Sequence, residues 1–217
     1  MKLHSFVGSP HSHKALAVIS HLGLEVEIEH HDFIAGELGM PDYLALNPNA
    51  MVPVLIDGAF TLWESNAIMQ YLADKAVNTA LFPRDPQRRA DIARWQFWEL
   101  AHFNKAFGAL AFEAVAKPRL NLGPTDDAVV ERARADLARF TPVLEQHLTG
   151  RRHVVGDGIT IADYSILAFE SYRQAVPFDW SPYPKLNAYF DRLGTSEHWV
   201  RTAARSPAAL GRKPKAA

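Results

Sequence analysis

Cysteine is absent from this 217-residue sequence. Its absence excludes disulfide bonds, thiolate metal sites and catalysis by a thiol of the protein itself. Any thiol chemistry that the chain performs must therefore use the thiol of another molecule.

Long hydrophobic runs are also missing. The apolar stretch at Met1–Val7 is too short for the core of a signal peptide, because Gly8, Ser9 and Pro10 follow it. No other segment has the length needed to span a membrane. We therefore expect a cytoplasmic protein with no membrane partner.

A strong overall charge is missing, but charge is unevenly distributed. The net charge is −1, with three Lys and no Arg against nine acidic residues in 1–75, and twenty basic against fifteen acidic residues in 76–217. A nucleic-acid-binding protein needs a basic stripe or patch interleaved with aromatic residues. The acidic N-terminal part therefore predicts that nucleic acid is not a partner.

The first 75 residues have the pattern of a small α/β domain. A strand, a helix and a strand are followed by a hairpin and a second helix, which predicts a parallel pair joined by a helical crossover beside an antiparallel hairpin. The predicted elements are Lys2–Val7, His13–Leu22, Glu25–Glu29, one or two helical turns over Pro41–Leu46, Val52–Ile56, Phe60–Leu62 and Ser65–Ala73.

The rest of the chain predicts an all-helical domain. A proline-containing linker at 76–87 separates the first domain, 1–75, from helices over 88–205, and a basic tail follows at 206–217. The predicted helices are Gln87–Val115, Thr125–Leu148, Ile161–Gln174, Pro184–Leu193 and Glu197–Ala204.

Three segments of the first domain are candidates for binding a ligand. Ser9 precedes a helix whose free N–H groups favour an anion such as a thiolate, although a simple N-cap is an open alternative. Val52 would offer its backbone to an extended ligand if its bond to Pro53 is cis, although a trans proline at a strand edge is also open. Glu64 and Ser65 precede another helix and suit the ammonium and carboxylate of an amino acid, unless Ser65 is only a cap.

Two further patterns concern folding and metals. Thr160 and Asp163 form a predicted capping box at the start of an apolar helix, which is a structural role. The ten histidines include His11-x-His13 and His30-His31, but no third ligand recurs at the helical spacing of zinc sites. We therefore predict no metal.

In their order, the motifs resemble the cytosolic glutathione S-transferase family, serine type, as in phi-like and bacterial members, over residues 3–199. The resemblance implies an N-terminal thioredoxin-like α/β domain and a C-terminal helical bundle. The motifs are the strand leading to the Ser9 turn, Asn47-Pro48 with Val52-Pro53-Val54-Leu55, Glu64-Ser65-Asn66-Ala67-Ile68, Phe82-Pro83, and Gly156-Asp157 leading to Thr160-Ile161-Ala162-Asp163.

The resemblance also implies the chemistry and the residues that perform it. Glutathione would be the co-substrate, with Ser9 activating its thiol for attack on a small hydrophobic electrophile, as in detoxification by a homodimeric enzyme. The residues implied to bind glutathione are Met51, Val52, Pro53, Glu64 and Ser65, and those implied to line the second-substrate pocket are His11, His102, Phe103 and Phe107.

One departure from the family pattern concerns the glycine carboxylate of glutathione. Related enzymes hold it with basic residues at positions that here are Leu38, Gly39, Met40 and Met51. The carboxylate must therefore bind Lys14, a histidine, a backbone N–H or an arginine of the helical domain. A glutathione-dependent isomerase, dehalogenase or peroxidase, and a non-catalytic adaptor of the same fold, remain alternatives.

Overall fold

The structure, a computed structural model, describes residues 1–78 and 80–203. These residues form two compact units: Met1–Asn78 together with a last helix, Glu197–Ala203, and the residues between them up to Ser196. The predicted basic tail, 206–217, lies outside the described residues. No described helix combines the length and the hydropathy that crossing a membrane requires.

The first unit contains a four-stranded sheet with the order β2-β1-β3-β4. Strands β1 and β2 are parallel, whereas β3 pairs antiparallel with both β1 and β4. The predicted crossover and hairpin are therefore confirmed. The elements are β1 (Lys2–Ser5), α1 (Pro10–Leu22), β2 (Glu27–His30), a 3₁₀ turn (Glu37–Gly39), α2 (Pro41–Leu46), β3 (Val54–Asp57), β4 (Phe60–Trp63) and α3 (Ser65–Lys75).

The two faces of the sheet bury different residues because side chains alternate along a strand. Leu3 and Leu55 are paired across β1 and β3 and have no exposed surface. The neighbouring pair, His4 and Val54, lies on the other face, where Val54 packs against Tyr43 of α2. Helix α2 therefore covers the face that carries His4.

The second unit is entirely helical among its described residues. A long helical segment from Pro86 to Leu120, predicted as one helix, contains two π-helical turns, Glu99–Phe103 and Phe112–Ala116. The helix that starts at Ile161 tightens to a 3₁₀ helix over Leu167–Tyr172. The α-helices are α4 (Pro86–Trp98), α5 (Asn104–Ala111), α6 (Lys117–Leu120), α7 (Asp127–His147), α8 (Ile161–Ile166) and α9 (Pro184–Gly194).

The last described helix, α10 (Glu197–Ala203), packs on α1 and so belongs to the first unit. The ring of His13 lies 3.8 Å from that of Trp199 between centroids, and His13 Nε2 is 3.0 Å from the Trp199 carbonyl oxygen. His21 and His198 stack at 4.6 Å. The predicted boundary placed this helix in the helical domain, because a local pattern shows that a helix forms but not which surface it packs against.

Candidate functional site

Strand register brings the three predicted ligand-binding segments to one end of the sheet. His4 near the end of β1 lies opposite Val54 at the start of β3, and Val54 lies opposite Trp63 at the end of β4. The turn after β1, the segment before β3 and the turn after β4 therefore all lie at the same end of the sheet. These connections contain Ser9, Val52 and Glu64.

Ser9 is the N-cap of α1 and is almost completely buried. Its Oγ accepts a hydrogen bond from the Ser12 backbone N–H at 3.1 Å. A hydroxyl also carries one donor hydrogen, and the described residues provide no acceptor for it. Ser9 can therefore cap the helix and donate to a ligand at the same time.

The segment before β3 presents a backbone outside the strand ladder. The Val52–Pro53 peptide bond is cis, which is the alternative in which Val52 offers its backbone to a ligand, and pairing with β4 starts only at Val54. The Tyr43 hydroxyl and the Asn47 side-chain amide each donate to the Met51 carbonyl at 2.8 Å. These two residues fix the peptide next to Val52, while the Met51 side chain is exposed.

The start of α3 differs from the prediction that Ser65 caps this helix. Glu64 occupies the N-cap position with φ 74°, its side chain makes no capping hydrogen bond, and Ser65 is the first helical residue. A backbone at positive φ turns Glu64 outward, so its side chain is exposed while Ser65 is buried. The Glu64 side chain therefore does not cap the first N–H groups of α3.

Lys14 joins the starts of α1 and α3. Its Nζ donates to Asn66 Oδ1 at 2.8 Å, and the lysine has no exposed surface. A side chain with no exposed surface cannot hold a carboxylate of a ligand in solution. Lys14 is therefore not the missing anchor for the glycine carboxylate, and its contact with Asn66 orients the first turn of α3.

His11 lies on the first turn of α1 and is partly buried. Burial and, to a smaller extent, the charge of Lys14 lower the pKa of His11 to about 3. The His11 imidazole is therefore neutral at physiological pH, and it neither adds a positive charge beside Ser9 nor titrates in the range where enzymes usually work.

The three pocket residues predicted in the second unit fall into two groups. Phe103 and Phe107 have no exposed surface, and Phe107 packs between Phe103, at 6.0 Å between ring centroids, and Trp180, at 5.1 Å. They are core residues here and cannot line a pocket without moving. His102 is partly buried and stacks on Phe140 at 4.6 Å.

A cavity of about 350 Å³ opens on the second unit between α4 and α7. Its lining residues are Arg94, Trp95, Trp98, Val143, Gln146 and His147. The sequence did not reveal this cavity, because the aromatic residues of α4 have the spacing of an ordinary core-facing helix. None of the predicted pocket residues lines it.

The predicted capping box is present at α8. Asp163 Oδ2 accepts from the Thr160 backbone N–H at 2.8 Å, and Asp163 Oδ1 accepts from the Val154 N–H at 2.9 Å and the Tyr189 hydroxyl at 3.0 Å. The carboxylate is completely buried. It joins α8 and α9 to the loop before α8, which is a structural role.

Sequence reasoning missed Tyr43 and Asn66 as parts of the site. Asn66 was recognised only as part of a motif, and Tyr43 lies in a short helix with no recognised role. Both act by holding another site residue, Met51 or Lys14, and such contacts depend on tertiary packing. No local pattern reports them.

Comparisons with known proteins agree with this geometry. A family model described as the N-terminal domain of glutathione S-transferase matches residues 1–74, and one for the C-terminal domain matches residues 100–197. Glutathione S-transferase 3 of Zea mays is 33% identical in an alignment of length 215 that covers 95% of each chain.

Solved structures give the same result. Glutathione transferase F2 from Populus trichocarpa superimposes with a TM-score of 0.87 at 26% identity, over 95% of this chain and 99% of that chain. A theta class glutathione S-transferase from Xanthomonas axonopodis pv. citri, solved with glutathione bound, has a TM-score of 0.83 at 28% identity, over 93% and 95% of the two chains.

Proposed function

The chain belongs to the glutathione S-transferase family and is a glutathione transferase, and we propose that Ser9 activates the glutathione thiol for attack on a small hydrophobic electrophile. The observation that carries this proposal is the strand register, which brings the connections containing Ser9, Val52 and Glu64 to one end of the sheet. The same register supports a single extended binding site for a tripeptide across that end of the sheet.

Ser9 would stabilise the thiolate through its donor hydrogen and through the positive end of α1. A free thiol has a pKa near 8.5, and lowering it by one unit requires about 1.4 kcal/mol of preference for the anion. A hydrogen bond to a charged group contributes about 1.5–3 kcal/mol, and a helix N-terminus about 0.3–1 kcal/mol. Together these interactions are sufficient to lower the thiol pKa by one to two units, to about 6.5–7.5, so that a large fraction of the thiol is ionised near neutral pH.

Val52 would pair with the cysteinyl backbone of glutathione. An extended peptide binds a sheet edge through main-chain hydrogen bonds. Val52 precedes the paired part of β3, and Tyr43 and Asn47 hold the adjacent Met51 carbonyl in place. The backbone donor and acceptor of Val52 are therefore positioned before the ligand arrives, which reduces the entropy lost on binding.

The start of α3 would hold the γ-glutamyl end. Its carboxylate would accept hydrogen bonds from the N–H groups of the first turn, which Glu64 does not cap, and from Ser65, and its ammonium would pair with the exposed Glu64 carboxylate. This assignment accounts for both unusual features of Glu64, whose side chain makes no capping hydrogen bond and whose φ is positive.

We further propose that the enzyme is a cytoplasmic homodimer, as the family resemblance implies. The acidic residues 1–75 and the basic residues 76–217 are complementary in charge, which favours association of one domain with the other domain of a second copy. Light scattering of the purified chain tests the dimer.

The experiment that tests the thiol mechanism compares Ser9→Ala with Ser12→Ala. Both variants remove one buried hydroxyl at the start of α1, but the proposal assigns a contact with the thiol to Ser9 alone. Glutathione binding is measured by calorimetry, and thiolate formation by ultraviolet difference absorbance as the pH is varied. We expect the wild type and Ser12→Ala to form thiolate one to two pH units below free glutathione.

Ser9→Ala should bind glutathione without this thiolate signal, and it should lose conjugation activity with an electrophilic aryl halide. An unchanged thiolate signal in Ser9→Ala would show that another group stabilises the anion. Absence of glutathione binding to the wild type at millimolar concentration would instead contradict the whole proposed site and favour the adaptor alternative. Circular dichroism of both variants verifies that they fold.

A further inference from the structure

Two histidines and a glutamate share one face of the sheet at the β1–β2 pair. His4 lies directly opposite Glu29 in the parallel register, and His31 follows Glu29 by two residues, which returns its side chain to the same face. The His31 N–H donates to the Ser5 carbonyl at 2.8 Å and so extends the pairing by one residue. The register therefore brings the three side chains together.

The three donor atoms lie close enough to share one ion, which would replace the hydrogen bond between the two imidazoles. His4 Nδ1 and His31 Nε2 are 2.8 Å apart, and each lies 3.8 Å from Glu29 Oε1. A point equidistant from the corners of a triangle with these sides lies about 2.0 Å from each corner, which is the length of zinc–nitrogen and zinc–oxygen bonds in proteins. An ion at this point bonds all three atoms without moving the backbone.

The surroundings orient Glu29 and His31 as in known metal sites. Lys2 Nζ donates to Glu29 Oε2 at 2.9 Å, which leaves Oε1 facing the histidines. His31 Nδ1 lies 3.5 Å from a Glu37 carboxylate oxygen. A carboxylate beside the second ring nitrogen fixes the tautomer and orientation of a metal-binding histidine.

Charge and accessibility also suit a divalent cation. The carboxylates of Glu27 and Glu29 pair with Lys2, and that of Glu37 lies beside His31, so the cluster carries a net charge of −2 when its histidines are neutral. His4 is buried, whereas the Glu29 side chain is 41% exposed. An ion can therefore enter from the Glu29 side, and a water can occupy a fourth position there.

We propose that His4, Glu29 and His31 bind one divalent transition-metal ion of the zinc type. Two imidazoles and one carboxylate select Zn²⁺ and its neighbours rather than Mg²⁺ or Ca²⁺, which require oxygen ligands. The ion joins the end of β2 to β1. The absence of metal expected from the sequence rested on helical ligand spacing, whereas this cluster depends on strand pairing.

The test uses tag-free protein that has been treated with EDTA and transferred to chelator-free buffer. Zn²⁺ is titrated by calorimetry, and thermal unfolding is measured with and without Zn²⁺. We expect the wild type to bind one equivalent and to unfold at a higher temperature with Zn²⁺, because a ligand that binds only the folded state stabilises it.

The variants are His31→Ala, Glu29→Gln and, as the matched control, His30→Ala. His30 is the adjacent histidine on β2 but is paired with Ser5, so its exposed side chain is on the other face. We expect His31→Ala and Glu29→Gln each to weaken Zn²⁺ binding by about tenfold or more, and His30→Ala to bind as the wild type does.

Three results would overturn the proposal: no stoichiometric Zn²⁺ binding by the wild type, equal affinity in wild type and both ligand variants, or an equal loss in His30→Ala. Cooperative unfolding in EDTA shows whether each variant is folded. If His31→Ala does not fold, Glu29→Gln decides the question, because its exposed side chain keeps its size and can still accept from Lys2.

Discussion

Protonation of His13 at acid pH should lower the stability of the first unit. Its side chain is 4% exposed, lies beside the Trp199 ring and hydrogen-bonds the Trp199 carbonyl at 3.0 Å. Burial lowers the pKa of His13 from 6.5 to about 4, and the hydrogen bond to Trp199 offsets this only in part. The neutral imidazole is therefore the form that lets α10 pack on α1.

The sign of the effect follows from the two pKa values. Between pH 6.5 and about pH 4 the unfolded chain binds a proton at His13 that the folded chain does not bind. The stabilisation is complete above pH 6.5 and is lost as the pH falls through this range. For these pKa values the loss between about pH 7.5 and about pH 5 is about 2 kcal/mol.

The substitution His13→Gln isolates this contribution. The glutamine amide can donate to the Trp199 carbonyl, as the imidazole does, but it has no proton to gain. Urea unfolding at about pH 7.5 and about pH 5, at one protein concentration, should show the wild type losing about 2 kcal/mol more than the variant. His11 and His21, whose pKa values are also lowered by burial, are present in both proteins and cancel in the comparison.

A parallel loss of stability in wild type and His13→Gln would refute this reasoning. Such a result would mean that His13 is protonated in the folded protein at about pH 5. Solvent would then reach His13 more readily than its burial against α10 indicates.

Substitutions at two positions test the proposed glutathione site. Tyr43→Phe removes one of the two donors to the Met51 carbonyl, whereas Asn47 still provides the other. Glutathione binding measured by calorimetry should therefore weaken about fivefold. Unchanged affinity would show that Tyr43 does not support the glutathione site. Glu64→Gly and Glu64→Ala should weaken glutathione binding equally. The free energy of unfolding should be about 1 kcal/mol higher for the glycine variant than for the alanine variant, because only glycine adopts φ 74° without strain. An alanine variant of equal stability would show that the backbone at Glu64 is not strained.

The sequence was sufficient for features that depend on neighbouring residues. Helix α2 has the predicted bounds, Pro41–Leu46, and the Thr160–Asp163 capping box forms as its spacing indicates. Both result from interactions within a few residues, where proline, cap residues and hydrophobic period determine the conformation.

Features that depend on distant residues were not predictable. Phe103 and Phe107 have the same amphipathic spacing whether they face a pocket or a core, and only packing against Trp180 shows that they are buried. The cluster of His4 with His31 requires the β1–β2 register, and two residues of register change would separate its members.

The small number of basic residues in 1–75 has a consequence for the proposed glutathione site. Residues 1–75 carry nine acidic against three basic residues, and Lys14, the basic residue nearest the site in sequence, is buried against Asn66. Glutathione is an anion, so at the proposed site its binding would rely on backbone N–H groups and hydroxyls at the starts of α1 and α3 rather than on ion pairs with lysine or arginine of residues 1–75. Such dipoles act at short range and are screened less by salt than exposed charges are. The affinity should therefore be concentrated at the thiol and the γ-glutamyl end, whose contacts the helix termini supply, and the glycine carboxylate should contribute least.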